Sequence, residues 1–187
     1  MSSAPTTHDP AKCGGVMFCA TCQEARHPAT RPDLSALPLA TRINIALAEV
    51  VDGRFWEHSV LNEWWLRDGS SGARRSVAIL MPSGDLITTS VFRDYLNDPA
   101  SAWSLMERER VVVAPEPTGE WSATAYGSGR WADPPYYSSP RVASPALALA
   151  LAVLRRHADS PLSSVIQPLL EEAQRIPGTM VAHGPRA

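Results

Sequence analysis

Apolar residues recur at helical spacing in several segments of the chain. The first segment has five apolar positions on one helical face: Leu39, Ile43, Ala46, Leu47 and Val50. Gly53 ends this helix, because glycine readily takes the left-handed conformation found at helix ends. A second helix begins at Asp98, where an aspartate cap precedes a proline at the first helical position. Its expected buried face has four residues: Ala102, Trp103, Leu105 and Met106.

The longest helical segment starts at Ser144, which precedes a proline, and continues to about His157. Its alternating alanines and leucines resemble a strand, but both residue types favour helices and no polar face alternates with the leucines. We expect three of its leucines to meet Trp103 in the core: Leu147, Leu151 and Leu154. A shorter amphipathic helix follows from Ser160 and is expected to be kinked or split at Pro168.

Two other segments have the pattern of β-hairpins. The apolar run 77–81 and the β-branched run 86–92 flank the turn sequence Pro-Ser-Gly-Asp at 82–85. The second hairpin pairs 111–113 with 121–126, where polar and apolar residues alternate. The aromatic stretch from Phe55 to Trp65 and the Gly- and Pro-rich stretch 127–140 are expected to be loops.

Together these elements predict the α+β class. We expect an antiparallel sheet of about four strands layered with about three helices, as an alpha-beta-alpha sandwich over residues 38–158. Residues 1–37 form a Pro-rich tail without a periodic apolar pattern. Residues 159–187 contain the short amphipathic helix and a loose C-terminal tail.

Four stretches of sequence carry a family resemblance. These are RINIALAE at 42–49, YLNDPASAW at 95–103, WSATA at 121–125 and ASPALAL at 143–149. Their order is similar to that of the phage ABA-sandwich domain, and the resemblance covers about residues 40–157. Members usually run from the initiator methionine directly into the first helix, whereas here a Cys-containing tail comes first. The resemblance implies a phage or prophage accessory protein of the bacterial cytoplasm, and it implies no enzyme mechanism.

Composition excludes some classes of function. The chain has 17 basic and 19 acidic residues and a net charge of −2, which disfavours a protein that coats nucleic acid. Its hydrophobic fraction of 44% is enough for a packed core. The first residues lack the pattern of a signal peptide, and no apolar run is long enough to span a membrane. We therefore expect a cytoplasmic protein without membrane contact.

The cysteines form the most specific chemical motif. Cys13, Cys19 and Cys22 lie within ten residues, and His27 follows them. Three thiolates and an imidazole match the tetrahedral ligand set of structural zinc. Cys19, Cys22 and His27 are similar to the first three ligands of a zinc knuckle, but the fourth cysteine of that motif is replaced by Pro32. The knuckle fold and its nucleic-acid binding are therefore not implied.

Other interpretations of the cysteines remain open. The three thiols could form an ordinary reduced cluster in an unstructured tail. His8 is an alternative fourth ligand, although the short spacing from Cys22 to His27 favours His27. A disulfide is disfavoured, because the number of cysteines is odd and the expected compartment is reducing.

A second candidate site lies among the aromatic residues. Arg130 and Trp131 share a predicted loop with Tyr136 and Tyr137, and such a group could stack on a nucleotide or single-stranded nucleic acid. The alternative is that the tryptophans of the chain cap sheet edges and fill a small core. The leading functional hypothesis is a non-enzymatic protein-interaction module with an unidentified protein partner. Nucleotide or nucleic-acid binding through this loop is the alternative.

Catalytic motifs are not evident. His58 has Asp52, Glu57 and Glu63 nearby in sequence, but the chain has none of the established nucleophile, metalloprotease or phosphate-binding patterns. We expect a solvated charged loop there. The run Glu-Arg-Glu-Arg at 107–110 is expected to be the exposed end of a helix.

Overall fold

The computed structural model describes residues 31–69, 75–127 and 135–175. These residues form four helices: α1 (Leu39–Val50), α2 (Pro99–Glu109), α3 (Pro145–Arg156) and α4 (Ser163–Arg175). A four-stranded antiparallel sheet contains β1 (Phe55–His58), β2 (Trp64–Arg67), β3 (Ser76–Leu80) and β4 (Leu86–Thr88). A three-stranded antiparallel sheet contains β5 (Val111–Pro115), β6 (Trp121–Tyr126) and β7 (Tyr136–Ser138). The predicted α+β class is confirmed.

Both predicted hairpins are present, but three strands lie where loops were expected. β1 and β2 occupy the aromatic stretch and pair with each other in register, with Trp56 opposite Leu66 and Glu57 opposite Trp65. β7 lies in the Gly- and Pro-rich stretch and pairs with β6. Each strand has only three or four residues, too few to show a clear alternation. The strands therefore form two sheets, where one sheet of about four strands was expected.

Helix α1 is buried on two sides, where one buried face was expected. Ile43 and Leu47 belong to a core cluster shared with α3 and the second sheet. Ile45 and Ala48 instead join a cluster with the first sheet, which includes Leu66. Residues 43–49 are consequently all buried. The helix therefore packs against both core clusters, one on each side.

Helix α3 forms the centre of the larger cluster. Residues 148–154 are all buried, including Leu151 and Leu154 as predicted. Helix α4 adds Ile166 and Leu170 to the same cluster. Pro168 lies inside α4 without splitting it. Pro168 has no N–H to donate to the Ser164 carbonyl, and both residues are exposed.

Helix α2 corrects one prediction about the core. Asp98 caps it as expected, accepting hydrogen bonds from the amides of Ala100 and Ser101. Leu105 is fully buried, but Trp103 is 61% exposed and does not enter the core. Two residues correspond to about 200° of rotation around a helix, so Trp103 and Leu105 lie on nearly opposite sides.

None of the helices in the described ranges combines the length and apolar character needed to cross a bilayer.

Candidate functional site

The predicted metal ligands Cys13, Cys19, Cys22 and His27 lie outside the described residues. Within residues 31–69, 75–127 and 135–175, no group of three or more His, Cys, Asp or Glu side chains could hold a metal ion. The zinc site therefore stays a prediction.

Half of the predicted aromatic-arginine site lies outside the described residues as well, because it includes Arg130 and Trp131. Tyr136 and Tyr137 are neighbours on β7, and successive strand residues point to opposite faces of a sheet. Tyr137 packs against the larger core cluster. Tyr136 is exposed, and its ring meets that of Tyr126 edge to face at a centroid distance of 5.6 Å. The two tyrosines therefore do not form one stacking surface.

The tryptophans of the first sheet have different surroundings. Trp56 is buried in the cluster against α1, and Trp64 packs beside it. The Trp65 ring lies 4.1 Å from the Arg67 guanidinium carbon, and its indole N–H donates to Glu63 at 2.8 Å. These contacts pair the aromatic side chains within the protein, and they do not gather them into a ligand-binding surface.

The charged residues around His58 do not assemble into a catalytic group. The His58 ring has its Nε2 3.1 Å from the Asn62 side-chain oxygen, and it meets the Trp64 ring at a tilt of 56°. Glu57 pairs with Arg67 across the β1–β2 hairpin. Asp52 lies beyond α1 and contacts residues from other elements. The segment is a β-hairpin and not the expected solvated loop.

Asp52 is one end of a charged network that the sequence did not reveal. Its almost buried carboxylate accepts a hydrogen bond from the Tyr95 hydroxyl at 2.8 Å and another from Arg108 at 2.9 Å. Burial, together with the charge and hydrogen bond of Asp52, raises the pKa of Tyr95 above its ordinary value. The Tyr95 hydroxyl therefore remains protonated as a donor.

Glu109 forms the other end of this network. Arg156 donates to its backbone carbonyl at 2.9 Å, and His157 Nε2 lies 3.5 Å from its carboxylate. Burial alone would raise the pKa of Glu109, but the nearby His157 ring and the charges of Arg156 and Arg108 lower it. Arg108 and Glu109 thus join the ends of α1, α2 and α3. The run 107–110 is an exposed helix end as expected, except that Glu109 is partly buried. Mutual pairing of this kind is typical of a structural network.

The most site-like feature is an open apolar cavity of about 370 Å³, here called the Trp103 groove. Six of its lining residues define its character: Leu96, Trp103, Met106, Val113, Trp121 and Leu149. Almost all of its lining surface is apolar. A concave apolar surface with few hydrogen-bonding groups binds apolar groups, because contact removes both apolar surfaces from water.

Three elements position the Trp103 groove. Helix α2 supplies Trp103 and Met106, the second sheet supplies Val113 and Trp121, and the start of α3 supplies Leu149. The helix starts at the groove are already capped, by Asp98 on α2 and by Ser144 on α3. The amides of Ala100, Ser101 and Leu147 are therefore bound within the protein. The groove offers dispersion contacts and burial of apolar surface.

A second, polar cavity of about 470 Å³ lies between α1 and the β3–β4 hairpin. Asn44 donates to Asp94 there at 2.7 Å. Burial opposes ionisation of Asp94, but hydrogen bonds from Asn97, Asn44 and two backbone amides outweigh it and lower its pKa. Asp94 thus holds the turn before α2 against α1, which is a structural role.

Comparisons with protein-family models, curated proteins and solved structures find no match for this chain. The resemblance of residues 40–157 to the phage ABA-sandwich domain therefore stays a prediction. Among the described residues, the Trp103 groove is the feature that points most directly to a ligand.

Proposed function

We propose that this chain is a non-enzymatic phage or prophage accessory protein that acts as a protein-interaction module in the host cytoplasm, with the Trp103 groove as its binding surface. The supporting observation is the exposure of Trp103 at the wall of an apolar concavity. Exposed apolar concavities of this kind are common at protein–protein contacts, and tryptophan is enriched among the residues that dominate binding energy.

The chemistry of the groove supports binding over catalysis. Asp98 is the one titratable residue among its described lining residues. Hydrogen bonds from the Ser101 side chain and amide, and from the Ala100 amide, lower the pKa of Asp98. Its carboxylate is therefore ionised and occupied as a helix cap at neutral pH. A general acid or base needs a pKa near the working pH, which Asp98 does not have.

The test is capture of a protein partner by the full chain and by an Ala146→Glu variant. Ala146 lines the groove in the first turn of α3, where a glutamate is compatible with the helix dipole. We expect its charge to exclude an apolar partner from the groove, so a protein captured by the wild type should be lost. Val112→Glu is the matched control, because Val112 is exposed on β5 and does not line the groove.

The proposal fails if Ala146→Glu and Val112→Glu capture the same proteins as the wild type. Thermal melts of both variants must match that of the wild type, so that loss of capture reports on the groove. Where the glutamate at 146 disturbs the helix, Trp103→Ser removes the exposed indole instead.

Nucleotide or single-stranded nucleic-acid binding remains the alternative function. The ring pair of the exposed Tyr136 and the partly buried Tyr126 is the described feature that favours it. A thermal-shift screen with mono-, di- and cyclic nucleotides separates the two hypotheses. A binder gains stability as RT ln(1 + [L]/Kd), whereas an interaction module should show no shift.

Zinc binding by the N-terminal cysteines is a separate prediction. We expect purified protein to carry about one zinc ion per chain, held by Cys13, Cys19, Cys22 and His27. Cys22→Ser should abolish the bound metal, since a tetrahedral site loses one of its four ligands. Elemental analysis of protein purified without a chelator or a metal-affinity tag gives the measurement. Absence of zinc together with three freely titratable thiols would leave the cysteines as an ordinary reduced cluster.

A further inference from the structure

The turn between β1 and β2 presents two aliphatic side chains to solvent. Val60 is fully exposed and Leu61 is 67% exposed. We call these two residues the Val60–Leu61 tip. Single exposed aliphatic residues are common, but two adjacent ones at the end of a hairpin form a projecting apolar knob.

The turn that carries the tip is held in one conformation. The Ser59 hydroxyl oxygen accepts hydrogen bonds from the amides of Leu61 at 3.1 Å and Glu63 at 3.4 Å. The Ser59 carbonyl accepts from the Asn62 amide at 3.2 Å. Asn62 takes the left-handed conformation, with φ of 60°, and its side chain contacts His58.

This hydrogen bonding prepares the tip for burial in an apolar site. The amides of three successive residues, Leu61, Asn62 and Glu63, are paired within the turn. Removing the Leu61 end of the tip from water therefore leaves these three amides bonded and avoids the cost of burying them unpaired. A fixed turn also loses little conformational entropy on binding.

We propose that the Val60–Leu61 tip of one copy inserts into the Trp103 groove of a second copy, so that the chain associates with itself from head to tail. This inference rests on the proposed function, since it names the occupant of the same groove. The chain carries both halves of the contact: a convex tip with two aliphatic side chains and a concave apolar cavity of about 370 Å³. Val60 is fully exposed within one chain, so the chain's own groove does not hold it.

The two surfaces belong to different parts of the molecule. The tip projects from the first sheet, whereas α2, α3 and the second sheet line the groove. When two copies associate in this way, one copy keeps a free tip and the other keeps a free groove. Further copies can therefore add to form a chain, or the ends can meet to close a ring. Association is expected to be weak for each contact, because an interface centred on two side chains is small.

Sedimentation velocity of the full chain over a range of concentrations tests the proposal. The wild type should gain mass with concentration. A Val60→Ser/Leu61→Ser variant loses the tip, and an Ala146→Glu variant loses the groove, so each should sediment as a monomer at every concentration. An equimolar mixture of the two variants should form a 1:1 dimer, because one retains an intact groove and the other an intact tip.

Val91→Ser is the control, since Val91 is also exposed but belongs to neither surface. It should associate as the wild type does. A wild type that stays monomeric, or a mixture of the two variants that stays monomeric while the wild type associates, overturns the proposal. If the tip variant still captures a host protein that Ala146→Glu has lost, a foreign protein occupies the groove. In that case self-association fails and the proposed function stands.

Discussion

Leu151→Ala is expected to lower the free energy of unfolding by about 2 to 5 kcal/mol, the range for truncating a well-buried leucine. Leu151 is fully buried at the centre of α3, within the run 148–154 that is buried throughout. The helix packs against the second sheet and against α1 and α4, so few neighbours can move to fill the cavity that alanine would leave. Denaturant unfolding of the wild type and of Leu151→Ala measures the difference in unfolding free energy. Equal slopes of the two transitions would show that the same surface is exposed on unfolding.

Leu147→Ala is the matched control for this effect. Leu147 lies one turn earlier on the same helix and is only partly buried, so the same truncation should cost clearly less. If both variants lost the same unfolding free energy, the loss would come from helix propensity or from the unfolded state and not from burial. A loss near zero at Leu151 would contradict the central position of α3.

The helix starts could be predicted from sequence because their causes are local. Asp98 and Ser144 each accept hydrogen bonds from amides within the next three residues, and a proline follows each of them. The hairpin around Gly84 is likewise set by its turn, where φ of 90° requires a residue without a side chain. Such signals lie within a few residues of one another.

Pairings between distant segments could not be predicted in this way. The second buried side of α1 depends on Ile45 meeting the first sheet, and the strand character of β1 depends on its partner β2. The exposure of Trp103 follows from the burial of Leu105, which lies about 200° away around α2. An aromatic residue beside the apolar stripe was assigned to the wrong side of the helix.

The candidate site was missed for the same reason. The Trp103 groove combines residues from α2, from β5 and β6, and from the start of α3, and each of these segments looks like ordinary core in the sequence. The groove forms because the three segments meet without filling the space between them. The sequence indicated the cysteines and an aromatic loop instead, because the residue types and spacing in one short segment are enough to suggest their chemistry.

The second large effect is expected at Glu49, whose side chain is completely buried. Arg31 binds both of its carboxylate oxygens, with Nε to Oε1 at 3.1 Å and Nη2 to Oε2 at 2.8 Å. Arg31→Met keeps much of the aliphatic stem and removes the charge. Breaking a buried pair leaves an uncompensated charge, so we expect a loss of about 3 kcal/mol in unfolding free energy at neutral pH.

The dependence of this loss on pH identifies its cause. Burial raises the pKa of Glu49 above its ordinary value, although the charge and hydrogen bonds of Arg31 oppose the shift. A raised folded-state pKa means that the carboxyl stabilises the fold fully below its unfolded pKa and loses this contribution as pH rises through the folded pKa. Removing Arg31 raises the folded pKa further. The difference between Arg31→Met and wild type should therefore be largest at neutral pH and shrink as pH falls toward the unfolded pKa.

An Arg31→Met/Glu49→Gln double variant provides the control for this prediction. It removes the titrating carboxyl while keeping a side chain of similar size, so its stability relative to wild type reports the loss of the whole pair. Compared with Arg31→Met it should be more stable at neutral pH, because a neutral amide costs less to bury than an unpaired carboxylate. Unfolding free energies measured from neutral pH down to about pH 5 separate the cost of the unpaired Glu49 charge from the loss of packing by the arginine stem. An Arg31→Met loss that is the same at every pH, and is not relieved by Glu49→Gln, would mean that the arginine stabilises the fold through packing of its stem.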